Sequence, residues 1–169
     1  MKIQVKSATL VASAVLGATR VGLGILWLHE GLFKYGAHFG RADILLVADS
    51  AKSNGRVPDY FTVLAEFALR GWPGLFGFLV PLLETCLGVA LILGILSLPA
   101  AMVSLLTLMT YWSSDQLIAQ YPIMGVLSIV VIAWPLLAAR LSTTSLIVSA
   151  LKRKQRAGPL ISGPLLRWL

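Results

Sequence analysis

The chain has 169 residues, 57% of them hydrophobic and only 12% charged, with a mean hydropathy of +0.84. An ordinary soluble domain carries about 25% charged residues, and a soluble core of this size has no room for so much apolar surface, so the composition indicates an all-α integral membrane protein. The formal net charge is +7; all seven acidic residues lie between Glu30 and Asp115, whereas six of the fourteen basic residues lie from Arg140 onward. Basic ends flanking apolar segments read as cytoplasmic loops in contact with anionic lipid, and no base-reading motif accompanies the charge, so nucleic acid is not an expected partner.

The first apolar segment runs from about 7 to 33, interrupted only by Arg20 and the His29–Glu30 pair, and is ample for the roughly 20 residues a bilayer requires. Lys2, Lys6 and the apolar run behind them have the flavour of a secretory signal, with Ala12-Ser13-Ala14 as a cleavage site, but the apolar run between is too short for one. The segment 35–73 is too polar to cross and too apolar for a plain linker; it reads as a helical surface loop of two short helices. Ile44, Leu45, Val47 and Ala48 form one apolar stripe, and Phe61, Leu64, Ala65, Ala68 and Leu69 form another behind Pro58. Glu66 and Arg70 are spaced as an i,i+4 surface pair, and Trp72-Pro73 closes the loop at headgroup level.

A second span is expected over 75–96, with Glu84 as its single charge, and a third over 98–113 after a tight reversal at Ser97-Leu98-Pro99, where Pro99 suits a first turn. The fourth runs over 122–140 and stops at Arg140. The expected architecture is a four-helix transmembrane bundle over 1–141, followed by a basic cytoplasmic tail over 142–169 that lies on anionic lipid or a partner subunit. Lys2 and Lys6 before the first span, and Arg140, Lys152, Arg153, Lys154 and Arg156 after the last, place both termini in the cytoplasm of a multi-pass protein of the plasma membrane, for a bacterium the inner one.

An ionisable side chain at bilayer depth is expensive and marks a functional site by default. Counting inward from each end of its span puts Arg20 roughly 18 Å and Glu84 roughly 15 Å deep from opposite faces of a core about 30 Å thick, which predicts an Arg20–Glu84 ion pair. Such a pair equally suits a structural role, fixing helix register without chemistry. Glu30 and Lys34 stand four apart at the outer end of the first span and Asp115 ends the third, so Arg20, Glu30, Lys34, Glu84 and Asp115 form a candidate intramembrane polar pocket. Gly24, Trp27, Gly31 and Lys34 continue the Arg20 face. Trp27, Tyr111 and Trp112 are candidate lining residues for a flat apolar ligand such as a quinone or a lipid, although each taken singly also reads as part of an interfacial aromatic belt. Cys86 is the only cysteine, so no disulfide or thiolate cluster arises within the chain; His29 and His38 are the only histidines and do not face one another at one depth as a bis-histidine haem requires. No metal ligand set and no phosphate-binding or acyl-transfer motif is present.

Two stretches resemble the DoxX/DoxD-like membrane proteins, whose DoxD members are small subunits of thiosulfate:quinone oxidoreductase. The first is RVGLGILWLHEGLFK from Arg20 to Lys34, with the family's arginine, tryptophan, glycine and lysine pattern; the second is PLLETCLGVALILG from Pro81 to Gly94, and the loop from Ala51 through Pro58 to Phe61 is similar to the DoxD-type insertion. The resemblance covers about 19–135 and implies a four-helix membrane subunit, quinone-proximal or accessory in an oxidoreductase or respiratory-type electron-transfer complex. Such a subunit binds no redox centre of its own, and redox partner subunits supply the electron transfer. It implies no settled catalytic residue or reaction for this chain. A structural assembly subunit without pocket chemistry is the alternative, and a small solute carrier, for which the spans show no internal repeat, is the third.

Overall fold

A computed structural model describes residues 2–116 and 118–145, and among them every regular element is helical. The basic run from Lys152 to Arg156 and the end of the expected tail lie outside the described residues. Helix α1 spans Lys2–Gly36, α2 Arg41–Ser53 and α3 Asp59–Leu64, which continues as a π-helical turn over Ala65–Leu69. Then come α4 (Pro73–Leu93), α5 (Ser97–Ser113), α6 (Tyr121–Ala133) and a short α7 (Pro135–Ala138). Two helical stretches, Ala8–Gly36 and Pro73–Leu93, are long and apolar enough to cross a membrane; α6 is a shorter apolar helix.

The boundaries follow local chemistry. Pro73 opens α4, where its missing N–H costs nothing, and Gly94 closes it in the left-handed region (φ 71) while Ile95 N–H donates to the Ala90 carbonyl at 2.9 Å. Leu96 is also left-handed (φ 50), so the chain reverses within three residues and α5 starts at Ser97 with Pro99 in its first turn. The expected fourth span is not one continuous helix over 122–140. It breaks at Trp134, whose ψ of 58 leaves the helical region because the ring of Pro135 disfavours an α conformation in the residue before it.

Helices α1 and α4 form the principal contact and run antiparallel, and glycine sets their spacing. A Cβ at Gly88 would lie 2.6 Å from the Leu28 backbone nitrogen, and one at Gly24 would lie 2.8 Å from the Ile92 nitrogen. Helix α6 and α7 pack on α1, and α5 packs on α6. The core joins Leu23, Trp27, Leu87, Leu91, Ala100, Leu108, Tyr121 and Met124. Above α4 the surface segment has its own small core of Ala48, Ala51, Val57, Phe61 and Ala65. It docks where a Cβ on Gly77 would meet the Gly40 backbone at 2.6 Å. Leu64, by contrast, is 47% exposed and faces the cavity described below rather than this small core.

Polarity runs opposite to that of a soluble bundle. Val11, Val15, Ile25, Phe78, Leu106, Val126 and Ile129 face outward, while Ser13, Arg20, Glu30, Glu84, Ser104 and Ser128 are buried.

Candidate functional site

The end of the bundle near Lys34 holds a buried polar cluster built from four helices. Lys34 of α1 donates from Nζ to Glu84 Oε1 of α4 at 2.7 Å and to Glu30 Oε2, one turn back on its own helix, at 3.3 Å. A helical side chain leans toward the N-terminus, so a lysine at the end of α1 reaches down to carboxylates one turn deeper. Tyr111 of α5 donates its hydroxyl to Glu84 Oε1 at 2.6 Å. Tyr121, at the start of α6, donates to Glu30 Oε2 at 3.2 Å, and Gln120 Nε2 donates to Glu30 Oε1. The Glu84 side chain is completely buried and that of Glu30 is 6% exposed. The Lys34 ammonium also stands 5.6 Å from the centre of the Tyr111 ring, which stacks on Tyr121 at 5.3 Å.

Directly beneath this cluster Trp27 is fully buried, its indole N–H donating to Ser104 Oγ at 2.7 Å, and Ser104 pairs with Ser128 at 2.8 Å. Trp27 is tilted against Tyr111 with ring centres 6.5 Å apart. A chain of polar contacts thus crosses from α1 through α5 to α6 within an otherwise apolar layer.

Next to the cluster opens a cavity of about 630 Å³, lined by Ile44, Val47, Phe61 and Leu69 from the surface segment, Leu79, Leu83 and Cys86 from α4, and Val103, Leu106 and Thr107 from α5. Its walls are overwhelmingly apolar, and Lys34 and Tyr111 stand among its few polar lining groups. The volume falls in the range of about 300–1,000 Å³ typical of small-molecule sites.

Of the residues singled out from sequence, the structure brings Glu30, Lys34, Glu84, Trp27 and Tyr111 together and separates three others. The expected Arg20–Glu84 ion pair does not form. Arg20 is only 2% exposed, yet it meets no carboxylate: Nε donates to the Ala138 carbonyl at 3.1 Å, Nη1 to those of Leu91 and Ile92, and Nη2 to that of Leu141 at 3.2 Å. Its guanidinium therefore caps the carbonyl-rich ends of α4 and α7, where the helix dipole is negative. The depth count failed because α1 has 35 residues, about 52 Å of helix, far more than a bilayer core of about 30 Å. Residue 7 is therefore no fixed origin from which to count depth. The glycine contacts align Arg20 with the end of α4 and Glu84 with Leu28 to Gly31, about nine residues or 14 Å away.

Asp115 lies outside the cluster. In the left-handed region (φ 57) just past α5, it accepts from Asn54 Nδ2 at 2.7 Å and from Arg56 at 2.6 Å, and with the Tyr60–Ser113 hydroxyl pair at 2.6 Å it ties the surface segment to the end of α5. Those donors, Asn54 first, hold its carboxyl below the usual aspartate range. On the same segment, Arg70 is held above its ordinary value by its hydrogen bond to Asp49 and the charge of the Glu66 carboxylate. Trp112 is 58% exposed and flanks a separate shallow apolar groove between α5 and α6 rather than the cavity. Gln120 and Tyr121 escaped the sequence reading; the available signal was a polar pair set against Pro122 at the mouth of an apolar span. Among the described residues no group of three His, Cys, Asp or Glu side chains gathers as a metal site.

Comparison with protein-family models, curated proteins and solved structures finds no match.

Proposed function

We propose that this chain is a four-span membrane subunit of a quinone-linked oxidoreductase or respiratory-type complex, holding the head group of a quinone in the cavity between α4, α5 and the surface segment. The observation that carries the reading is an apolar chamber of about 630 Å³ with Lys34 and Tyr111 in its wall. A quinone ring is flat and apolar and carries carbonyl oxygens at its edge. The Lys34 ammonium and Tyr111 hydroxyl supply hydrogen-bond donors for such oxygens, and Phe61, Leu79, Leu83 and Leu106 supply the apolar faces. When bound, the quinone would supply electron-carrying chemistry; the chain's part is to orient it, exclude water and hold protons nearby. Electrons would come from a redox partner subunit. The resemblance of the Arg20–Lys34 and Pro81–Gly94 stretches to DoxX/DoxD-like proteins points the same way.

Crossing by α1, α4, α5 and the broken α6–α7 unit is supported by the inverted polarity. The outward faces of all the long helices are apolar while their contacts carry serine, carboxylate and guanidinium, and a soluble monomer rarely exposes so large a continuous apolar surface. At 17 residues α5 spans about 26 Å, enough for a core of about 30 Å with its polar ends at the interface. The basic residues near both ends support a cytoplasmic side for both termini, with the Lys34 end of the bundle on the opposite side.

Cys86 offers a direct test, because it lines the cavity and is the only cysteine in the chain. In nanodiscs, a short-chain quinone should slow alkylation of Cys86 saturably, and filling the chamber by Thr107→Trp should abolish that protection. Equal protection by a plain alkane of similar length would make the chamber a lipid cleft, and no protection would remove the reading. The partner is tested by purification from native membranes in mild detergent. If Lys34→Met lowers the yield of a complex whose activity is unchanged, the assembly role replaces the quinone role.

A further inference from the structure

The cluster at the head of the cavity contains two carboxylates and one ammonium. Glu30 and Glu84 both bond to Lys34 Nζ, so their nearer oxygens lie within about 6 Å of each other (2.7 plus 3.3 Å). The titratable groups facing them are Lys34 from α1, Tyr111 from α5 and Tyr121 from α6; His29 stands at the rim, its Nδ1 4.0 Å from Glu30 Oε1, with its own side chain 67% exposed. Arg20, which is buried, is about 14 Å away along the bundle and is occupied by carbonyls. With both glutamates ionised the site would carry an uncompensated negative charge in a layer of low dielectric, and two like charges this close disfavour joint ionisation.

The hydrogen bonds distinguish the two carboxyl groups. Glu30 accepts from three donors spread over both oxygens: Gln120 on Oε1, and Tyr121 and Lys34 on Oε2. Glu84 accepts from two donors, both on Oε1, and its Oε2 is buried with no hydrogen-bond partner among the described residues. A bare buried oxygen is far cheaper on a neutral carboxyl group than on a carboxylate. The geometry points to Glu84 as the holder of one proton at neutral pH, with Glu30 ionised and paired to Lys34.

The site is then neutral and loaded, and it adjoins the cavity through a residue that belongs to both. Lys34 bonds to Glu84 and also lines the chamber. A proton taken by a basic oxygen of a cavity ligand would break an N–H bond at Lys34; the carboxyl group of Glu84 would then turn its O–H toward Nζ, and that O–H would break to refill it, leaving Glu84 ionised against the restored ammonium. Glu30 and the rim histidine His29 give the route of reloading from outside. We therefore propose that Glu84, Lys34 and Glu30 form a proton-loading site for the cavity. The part of this proposal that concerns delivery rests on the quinone reading; the protonation of Glu84 does not.

Infrared spectroscopy of the full chain in lipid nanodiscs tests both parts separately. At neutral pH the wild-type chain should show a carboxylic acid C=O band that shifts down in D2O; it should be absent in Glu84→Gln and also in Glu30→Gln, because a single remaining carboxylate balances Lys34. In Tyr111→Phe, which keeps the ring and removes only the hydroxyl donating to Oε1, the band should remain but move to higher frequency. Absence of the band from the wild-type chain, or a band that does not move in Tyr111→Phe, overturns the assignment; the wild-type spectrum decides the first even if a variant fails to fold. Adding a short-chain quinone should perturb the band in parallel with protection of Cys86. A band present but unmoved while Cys86 is protected overturns delivery, whereas a band present with no Cys86 protection removes the quinone reading and leaves the loaded glutamate standing.

Discussion

Lys34→Met removes the ammonium while keeping the length and apolar stem of the side chain. In the native chain that ammonium meets Glu84 at 2.7 Å and Glu30 at 3.3 Å, with the glutamate side chains 0% and 6% exposed. After the substitution Glu30 keeps Gln120 and Tyr121, and Glu84 keeps only Tyr111, so a buried negative charge stands without a cation. Removing one partner of a buried ion pair costs about 3–5 kcal/mol, or a loss of more than a hundredfold in the folding equilibrium at about 1.4 kcal/mol per tenfold. Unfolding in mixed micelles with increasing denaturing detergent, followed by tryptophan fluorescence, measures it. Acidification should shrink the deficit, since protonating Glu30 removes the unpaired charge. If Glu84 already carries a proton, Lys34→Met combined with Glu30→Gln should recover more of the loss than Lys34→Met combined with Glu84→Gln. A single variant within about 0.5 kcal/mol of the wild type, or a deficit that does not respond to acid, would refute the idea that the cation compensates a buried charge.

Gly88→Ala should destabilise the bundle by about 1–3 kcal/mol, because the new Cβ meets the backbone nitrogen and Cα of Leu28, which cannot turn aside as a side chain can. Gly125→Ala, where a Cβ meets nothing within 4 Å, is the control and should be neutral or slightly stabilising in the same thermal melt; equal behaviour of the two would dispose of the close crossing. Asp115→Asn tests the tie between the surface segment and α5. Asparagine tolerates the left-handed backbone but loses the charge that Arg56 pairs with. Because the folded carboxyl lies below its ordinary range, its stabilisation is present above that range and disappears as pH falls through the folded value. Hydrogen exchange across 54–60, corrected for intrinsic rates, should therefore quicken in Asp115→Asn at neutral pH and in the wild type only in acid; unchanged exchange in the variant would show that Asn54 and Tyr60 suffice.

The helical character was legible because it rests on local terms, long apolar runs and Pro99 in a first turn; the bounds of α4 are as local, Pro73 at its start and Gly94 at its stop, but the span was read as 75–96. The halves of the surface segment were visible through the apolar spacing around Ala48 and Phe61, which the structure buries together. The break at Trp134 was also written locally, in Pro135, but the high hydropathy around it hid the signal. Asp115 could not be placed, since its partners Asn54 and Arg56 lie about sixty residues away and nothing in the spacing of the chain forecasts that contact. Gln120 and Tyr121 failed for a related reason: their role depends on which way the start of α6 faces, a tertiary fact.

Buried Arg20 and half-buried Lys34 show what depth alone cannot decide. Arg20 and Lys34 sit on one helix, and a count of residues assigned the arginine to Glu84. The antiparallel packing of α1 on α4 reverses the assignment, because each glycine contact fixes the relative height of the two helices. Once Gly24 lies against Ile92 and Gly88 against Leu28, the level of Glu84 is that of Leu28 to Gly31, and only a lysine leaning back from one turn above reaches it. Arginine then finds what remains at its own level, the carbonyl ends of α4 and α7. A planar guanidinium suits that place, since its several N–H groups can be shared among carbonyls pointing from different helices, whereas an ammonium would satisfy fewer of them. The carboxylates therefore gather around the lysine, while the arginine, about 14 Å away along the helix, ties together carbonyls of α4 and the segment around α7.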